Sequence, residues 1–165
     1  MIFLTVGTHE QAFDRLVMKI DELKMNKNID DDIFIQSGYC TYEAKYCEWK
    51  KFLDYKDMIK MIKKSEIVIT HGGASSFIMA LQMGKIPIVV PRQKKYNEHV
   101  NDHQLEFAES VKERYNNIIV VKDINDIHDV ICNYKEIIEN MSGEKFSNNE
   151  EFNNKLEEII KNMMH

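Results

Sequence analysis

A doubly wound, Rossmann-like α/β domain on a mainly parallel sheet is the fold this sequence predicts, and three observations predict it. Short apolar runs alternate with amphipathic helical patterns along most of the chain, the signature of repeated βαβ units. The six glycines are few and sit at informative places, among them the ends of apolar runs at Gly7, Gly38 and the pair Gly72-Gly73. The length of 165 residues, 44% hydrophobic and 30% charged, suits one globular core. One domain over 1–165 is expected, an α/β core over 1–122 followed by a helical tail over 123–165.

The elements follow in order. Ile2 to Val6 reads as a buried first strand. Phe13, Leu16, Val17, Ile20 and Leu23 then form the apolar stripe of a helix. Ile33 to Ile35 is a second strand, ending in the turn-prone Ser37-Gly38. Between Tyr39 and Leu53 the aromatics fit no single period, and a loop with a third strand is expected there. Met58 to Ile62 gives a helix closed by Lys63 and Lys64, whose charges suit a helix C-terminus. Ile67 to Thr70 is the fourth strand, and a compact helix from Ala74 to Met83 stops at Gly84. Ile86 to Val90 is the fifth strand, with Pro91 at its exit. A polar loop from Arg92 to Asn97 leads to a helix carrying Phe107, Ala108 and Val111, and Ile118 to Val121 is the last strand. The period from Ile127 to Met141 predicts one tail helix, and Phe152 to Met163 a second.

Charge and cysteines narrow the function. A formal net charge of -5 argues against a nucleic-acid binder, because neutralising phosphates needs a basic surface. It leaves a nucleotide ligand open, since backbone N–H groups at a helix N-terminus can hold one. Cys40, Cys47 and Cys132 show no paired metal spacing and leave an odd thiol in any disulfide scheme. Reduced thiols in the cytoplasm are expected, and the short opening run is neither a secretory leader nor a span.

Three segments carry candidate chemistry. Gly7-Thr8-His9 ends the first strand, where ligands sit in doubly wound sheets; an ordinary βα turn is the competing reading. In Thr70-His71-Gly72-Gly73-Ala74-Ser75-Ser76 a strand delivers two glycines and small hydroxyl residues to a helix N-terminus. That arrangement suits an anion, although Ser75 or Ser76 as a simple cap accounts for part of it. In Asn97-Glu98-His99-Val100-Asn101-Asp102-His103-Gln104 seven polar residues exceed what a helix cap needs, and Gln104 shares the inward helix face with Phe107, Ala108 and Val111. His99 and His103 stand at i, i+4, a spacing that can hold zinc, yet no third ligand is evident and no metal is expected.

Together, Gly7-Thr8 with Phe13-Asp14 and Leu16, then His71-Gly72-Gly73-Ala74-Ser75-Ser76, then His103-Gln104 resemble the C-terminal domain of glycosyltransferase family 28. That domain is one lobe of a two-lobed GT-B enzyme. The group spans the transferase that makes lipid II and the small catalytic subunit of the dolichol-linked UDP-GlcNAc transferase. The Pro91-Arg92 exit and the Asn97 to Gln104 segment also look like the small subunits of capsule and exopolysaccharide β-1,4-galactosyltransferases. The likeness covers about Met1 to Val121.

The resemblance implies a UDP-sugar donor, inverting transfer of galactose or GlcNAc, and no metal or other cofactor. By carry-over, Gly73, Ala74, Ser75 and Ser76 would hold the diphosphate, bordered by Gly7 and Thr8, and Gln104 with Asp102 or His103 would touch the donor sugar. His71, Gly72, Arg92 and Asn101 belong to the same donor set. Glu98 is the expected catalytic base and His9 the support for the leaving phosphate. Many relatives place a glutamate for the ribose where Met79 stands, which leaves ribose recognition to Gln82 or to backbone. The acceptor lobe would then be a separate, membrane-anchored subunit that receives a polyprenyl-linked acceptor and recruits this chain to the inner membrane face. An isolated chain would self-associate. A non-catalytic stabilising subunit is the alternative, and Met79 is its best support.

Overall fold

Six parallel strands run in the order β3-β2-β1-β4-β5-β6, comprising β1 (Ile2–Thr5), β2 (Ile33–Gln36), β3 (Glu48–Lys50), β4 (Ile67–His71), β5 (Ile88–Val90) and β6 (Ile119–Val120). The computed structural model describes residues 1–141 together with Asn154, Glu158 and Lys161. Strand order reverses between β1 and β4, whose registers pair Phe3 with Val68 and Thr5 with Thr70. In such sheets the crevice for a ligand opens at that reversal.

Alternation along the strands divides the core. Ile2, Leu4, Ile67, Ile69, Ile88 and Val90 face one side, where they meet Leu16, Val17 and Ile20 of α1 (Asp14–Met25) and Ile127 and Ile131 of the tail. Phe3 and Val68 face the other, against Ile62 of α2 (Tyr55–Lys64) and Ala80 of α3 (Ala74–Gln82). Val89 packs there too, with Phe77 and with Ala108 and Val111 of α4 (His103–Tyr115). Both faces are therefore covered, as parallel strands with continuous apolar runs require.

Local chemistry sets the helix ends. Asp54 caps α2 by accepting from Asp57 N at 2.8 Å. Gly84, at φ 73°, follows α3 in the left-handed turn expected of it, its N–H bonded to Leu81 O. The stretch between β2 and β3 is loop, as expected, and two carboxylates from α1 hold it. Asp21 is buried and accepts from Tyr42 Oη and from the backbone N–H groups of Lys45, Tyr46 and Cys47 at 2.7 to 3.1 Å. Asp14 accepts from Thr41 N and Tyr42 N. Burial pushes the Cys40 and Cys47 thiols up to about 11 and about 12, so both stay protonated, and all three cysteines are free.

The tail departs from the single helix expected over Ile127 to Met141. It forms two short helices, α5 (Ile127–Cys132) and α6 (Tyr134–Asn140). The break falls at Asn133 (φ −99°, ψ 13°), whose side-chain amide donates to Asp129 O at 2.9 Å. This local bond competes with the helix ladder in the way short polar side chains do. Periodicity alone does not register it. The expected final helix, Phe152 to Met163, lies outside the described residues apart from Asn154, Glu158 and Lys161, which are helical and exposed.

Candidate active site at the strand reversal

The crevice beyond the carboxyl ends of β1 and β4 has a volume of about 460 Å3. Its wall carries Gly7, Thr8, His9, His71, Gly73, Ser75, Ser76 and Gln104, all expected from the sequence. Thr5, Gln36, Leu53, Tyr55 and Met58 join them, together with Met79. A second groove of about 520 Å3 lies along α1 and includes Arg15, Lys19, Asp21 and Glu22. Among the described residues no glycine lines that groove, whereas the crevice at the reversal gathers Gly7, Gly73 and the start of α3, so the crevice is the candidate site.

The crevice is organised around His71, the last residue of β4. Its ring is buried, and Nδ1 accepts the Gly73 N–H at 2.9 Å. The proton of the neutral ring therefore sits on Nε2, which donates to Ser76 Oγ at 3.0 Å. That leaves the Ser76 hydroxyl proton free to point at a ligand. Burial, reinforced by the Arg92 charge, pushes the His71 pKa down to about 4. The ring is a neutral relay between backbone and hydroxyl.

Two glycines make room for that ring. A Cβ on Gly73 would stand 2.0 Å from His71 Cε1, and one on Gly7 would stand 2.2 Å from His71 Nε2. Gly7 also has φ 76°, a conformation that L side chains rarely adopt. The sequence places Gly73 at a helix N-terminus suited to an anion; the structure adds a packing reason within the protein itself. Gly72 serves the neighbouring segment, where a Cβ would meet Gln104 Cβ at 2.8 Å and Pro91 Cβ at 3.0 Å.

Ala74 and Ser75 open α3, and the first N–H groups of a helix have no intrahelical acceptor. Ser75 is exposed at that end. Gln104 uses Oε1 to accept from Arg92 N at 3.1 Å, which leaves its amide N–H2 as the donor available to a ligand. Thr5 Oγ1 accepts from Gly7 N and donates to Gln36 Oε1, fixing the turn after β1.

Other expected residues stand elsewhere. Arg92 is fully buried and donates to Val6 O, Gln11 O and Ala12 O, so it touches backbone and not the crevice. Glu98 is 5% exposed. It takes a two-pronged pair from Arg15, at 2.6 and 3.0 Å, and accepts from Gln93 N. This placement corrects the expectation of a base facing the crevice. Asp102 accepts from Lys94 N, and Asn101 Oδ1 accepts from His103 N; both tie down the loop before α4. His103 is exposed and pairs with Glu106 at 3.7 Å. Because α4 begins at His103, His99 is not one helical turn from it; His99 packs on His9 instead, ring centroids 5.3 Å apart. Among the described residues no group of three or more His, Cys, Asp or Glu side chains is arranged to hold a metal. Gln82 ends α3 and is exposed, away from the crevice wall.

His9 is exposed at the mouth. Its pKa is lowered by partial burial, then by the charges of Arg92 and His99. Nδ1 accepts from Gln11 N at 3.2 Å, so the neutral ring offers its Nε2 proton outward. Sequence reasoning missed Gln36, Leu53 and Tyr55. Gln36 was findable, because it ends a strand whose carboxyl end faces the crevice, whereas Leu53 and Tyr55 follow an irregular loop with no local signal.

Comparison with known proteins identifies the family. The profile of the glycosyltransferase family 28 C-terminal domain matches residues 1–163. The UDP-N-acetylglucosamine transferase subunit ALG13 of Homo sapiens is 34% identical over 124 residues, 67% of this chain and 10% of its own length. The UDP-N-acetylglucosamine–N-acetylmuramyl-(pentapeptide) pyrophosphoryl-undecaprenol N-acetylglucosamine transferase of Bdellovibrio bacteriovorus is 36% identical over 84 residues, 50% of this chain and 22% of its own. The chain thus spans only a small part of the curated relatives it matches. The glycotransferase of kitacinnamycin shares the fold at a TM-score of 0.58 and 17% identity, with 94% of this chain and 38% of that one covered. With the profile matched along nearly its whole length, the chain belongs to the glycosyltransferase family 28 C-terminal domain family.

Proposed function

We propose that this chain is the donor lobe of a UDP-sugar-dependent inverting hexosyltransferase. The observation that carries the reading is the first turn of α3, with the His71–Ser76 relay beside it, opening at the β1/β4 reversal. Helix N-terminal N–H groups and an oriented hydroxyl suit a diphosphate. No carboxylate lines the crevice among the described residues, which favours an anion further. UDP-GlcNAc is the first donor to test, because the curated relatives' names specify it, with UDP-galactose as the alternative.

The missing carboxylate also bears on chemistry. Inverting transfer needs a base for the acceptor hydroxyl, and among the described residues the titratable side chains on this wall are His9, His71 and Tyr55. We assign the base to a second subunit that closes over the crevice and brings a polyprenyl-linked acceptor at the inner face of a membrane, for assembly of a cell-surface polysaccharide. The word "subunit" in the name of the human relative supports a partner. No helix among the described residues is long and apolar enough to cross a membrane, which is consistent with anchoring through that partner. His9, with its proton on the outward nitrogen, supports the leaving diphosphate.

Ser75→Asp tests the donor site. A carboxylate in the first turn favours the helix, so stability holds or rises, while like charge in the crevice repels a diphosphate. Wild-type protein titrates UDP calorimetrically and the variant does not. Equal heats would move the site elsewhere. A stabilising subunit that has lost donor binding, the second reading favoured by Met79 in the ribose position, predicts no UDP heat even from wild type.

A further inference from the structure

Among the described residues Arg92 is the largest fully buried side chain, at 0% exposure. A guanidinium so placed normally has a carboxylate partner, because burying an unpaired charge is costly. Among the described residues Arg92 forms no ion pair. The carboxylate near it, Glu98, is held by Arg15 through both oxygens. Two arginines thus lie near one carboxylate, which only Arg15 pairs, and each keeps a buried nitrogen without a hydrogen-bond partner, Arg92 Nε and Arg15 Nη1. The Cys40 thiol beside Arg92 is protonated and supplies no counter-charge. Phe13 offers only its ring face, 4.8 Å from the guanidinium carbon.

The same guanidinium spans a loop. It donates to Val6 O at 3.0 Å, at the end of β1, and to Gln11 O and Ala12 O at 2.7 and 3.1 Å, just before α1. Gly7, Thr8 and His9, three residues of the crevice wall, lie between those anchor points. Its own backbone N–H is accepted by Gln104 Oε1, which orients a fourth. One side chain therefore fixes one wall of the crevice and places net positive charge behind it.

We propose that Arg92 is a positioning residue that makes the crevice select a nucleoside diphosphate over the neutral nucleoside. It locks the 6–12 loop, and its uncompensated charge, acting from behind that loop without touching ligand, is balanced when the diphosphate arrives. The inference rests on the nucleotide reading above. Its physical support is that a charge in a low-dielectric setting acts over several ångströms. Burial is the first cause of the lowered pKa values of His9 and His71, and the Arg92 charge adds to it in both.

The test measures UDP and uridine affinities for wild type, Arg92→Gln and Arg92→Lys, with imidazole titrations of His9 and His71 followed by NMR. Arg92→Gln should weaken UDP about ten-fold or more and uridine less than about three-fold. It should also raise both histidine pKa values. Arg92→Lys keeps the charge but cannot span three carbonyls. It should hold the UDP-to-uridine ratio within about three-fold of wild type and leave the histidines lowered, while amide exchange at residues 7–12 quickens. Equal weakening of UDP and uridine by Arg92→Gln would overturn the proposal, as would a ratio lost equally in both variants. If Arg92→Gln does not fold, Arg92→Lys decides alone, because loss of its ratio or of its histidine shifts refutes the charge role. If wild type binds neither ligand, the nucleotide reading fails separately, and the histidine titrations still test the charge.

Discussion

The contact between Gly73 and His71 permits a quantitative test of how the crevice is built. Gly73 has φ −70° and ψ 125°, so an alanine there suffers no backbone strain, and any cost comes from the added methyl. That methyl would stand 2.0 Å from His71 Cε1, 2.8 Å from Nδ1 and 2.9 Å from Nε2. The ring has no retreat, because Gly7 closes on its Nε2 side and both nitrogens are bonded. Overpacking together with a strained or broken bond from Gly73 N costs about 3 kcal/mol. For a chain of this size that lowers the melting temperature by roughly 6–12 °C. In a His71→Ala background the obstacle is gone, and the same Gly73→Ala change costs less than about 1 kcal/mol. A denaturant-unfolding cycle of the four proteins should therefore show a coupling of about 2 kcal/mol. Gly84→Ala is the control: at φ 73° with nothing within 4 Å of its Cβ position, it costs backbone strain of about 1 kcal/mol in both backgrounds. Additivity of Gly73→Ala with His71→Ala, within about 0.5 kcal/mol, would refute the sandwich.

The buried neutral His71 makes stability depend on pH with a definite sign. Its folded pKa of about 4 lies below the ordinary histidine value of 6.5, so between those values the unfolded chain binds the extra proton. Stability is full above pH 6.5 and falls by up to about 3 kcal/mol as pH drops to 4; urea midpoints at pH 7.5, 6 and 5 should show this slope, and His71→Gln should flatten it. Glu98→Gln should cost about 2–3 kcal/mol of stability by breaking the Arg15 pair, while turnover of the assembled enzyme falls less than about ten-fold. A hundred-fold loss of turnover with an unchanged melting transition would restore Glu98 as the base.

The strands and helices were readable because each face of a buried parallel sheet needs its own apolar set, and the chain supplies both by alternation. Phe3 and Val68 on one face and Leu4 and Ile69 on the other are local facts of sequence. The crevice was readable for a related reason: glycines and small hydroxyls cluster where strand ends meet a helix N-terminus, at Gly7 and Gly73-Ala74-Ser75-Ser76. What escaped depends on partners distant in sequence. Asp21 reads as one more charge on a helix, yet it gathers four donors from a loop about 25 residues away. Arg92 and Glu98 lie in the right segment, but Val6, Gln11, Ala12 and Arg15, some 80 residues earlier, decide where their side chains point.

That distinction bears on which residues carry over from a family pattern. Arg92, Glu98, Asp102 and Asn101 all stand in the stretch that resembles the family's donor site, and each is consumed in building the loop that positions Gln104. A motif therefore mixes groups that meet ligand with groups that hold them, and only the direction of the side chain separates the two. Here the holders include the ionised side chains, whereas the crevice wall keeps neutral donors: Thr8, His9, Ser75, Ser76 and Gln104. Under the function proposed above, fixed neutral donors backed by a buried cation would favour a dianionic ligand without the competition of an exposed acid, and proton removal from an acceptor would fall to a group outside this wall. On the proposed reading, this arrangement would let the lobe hold a donor although no carboxylate lines its crevice among the described residues.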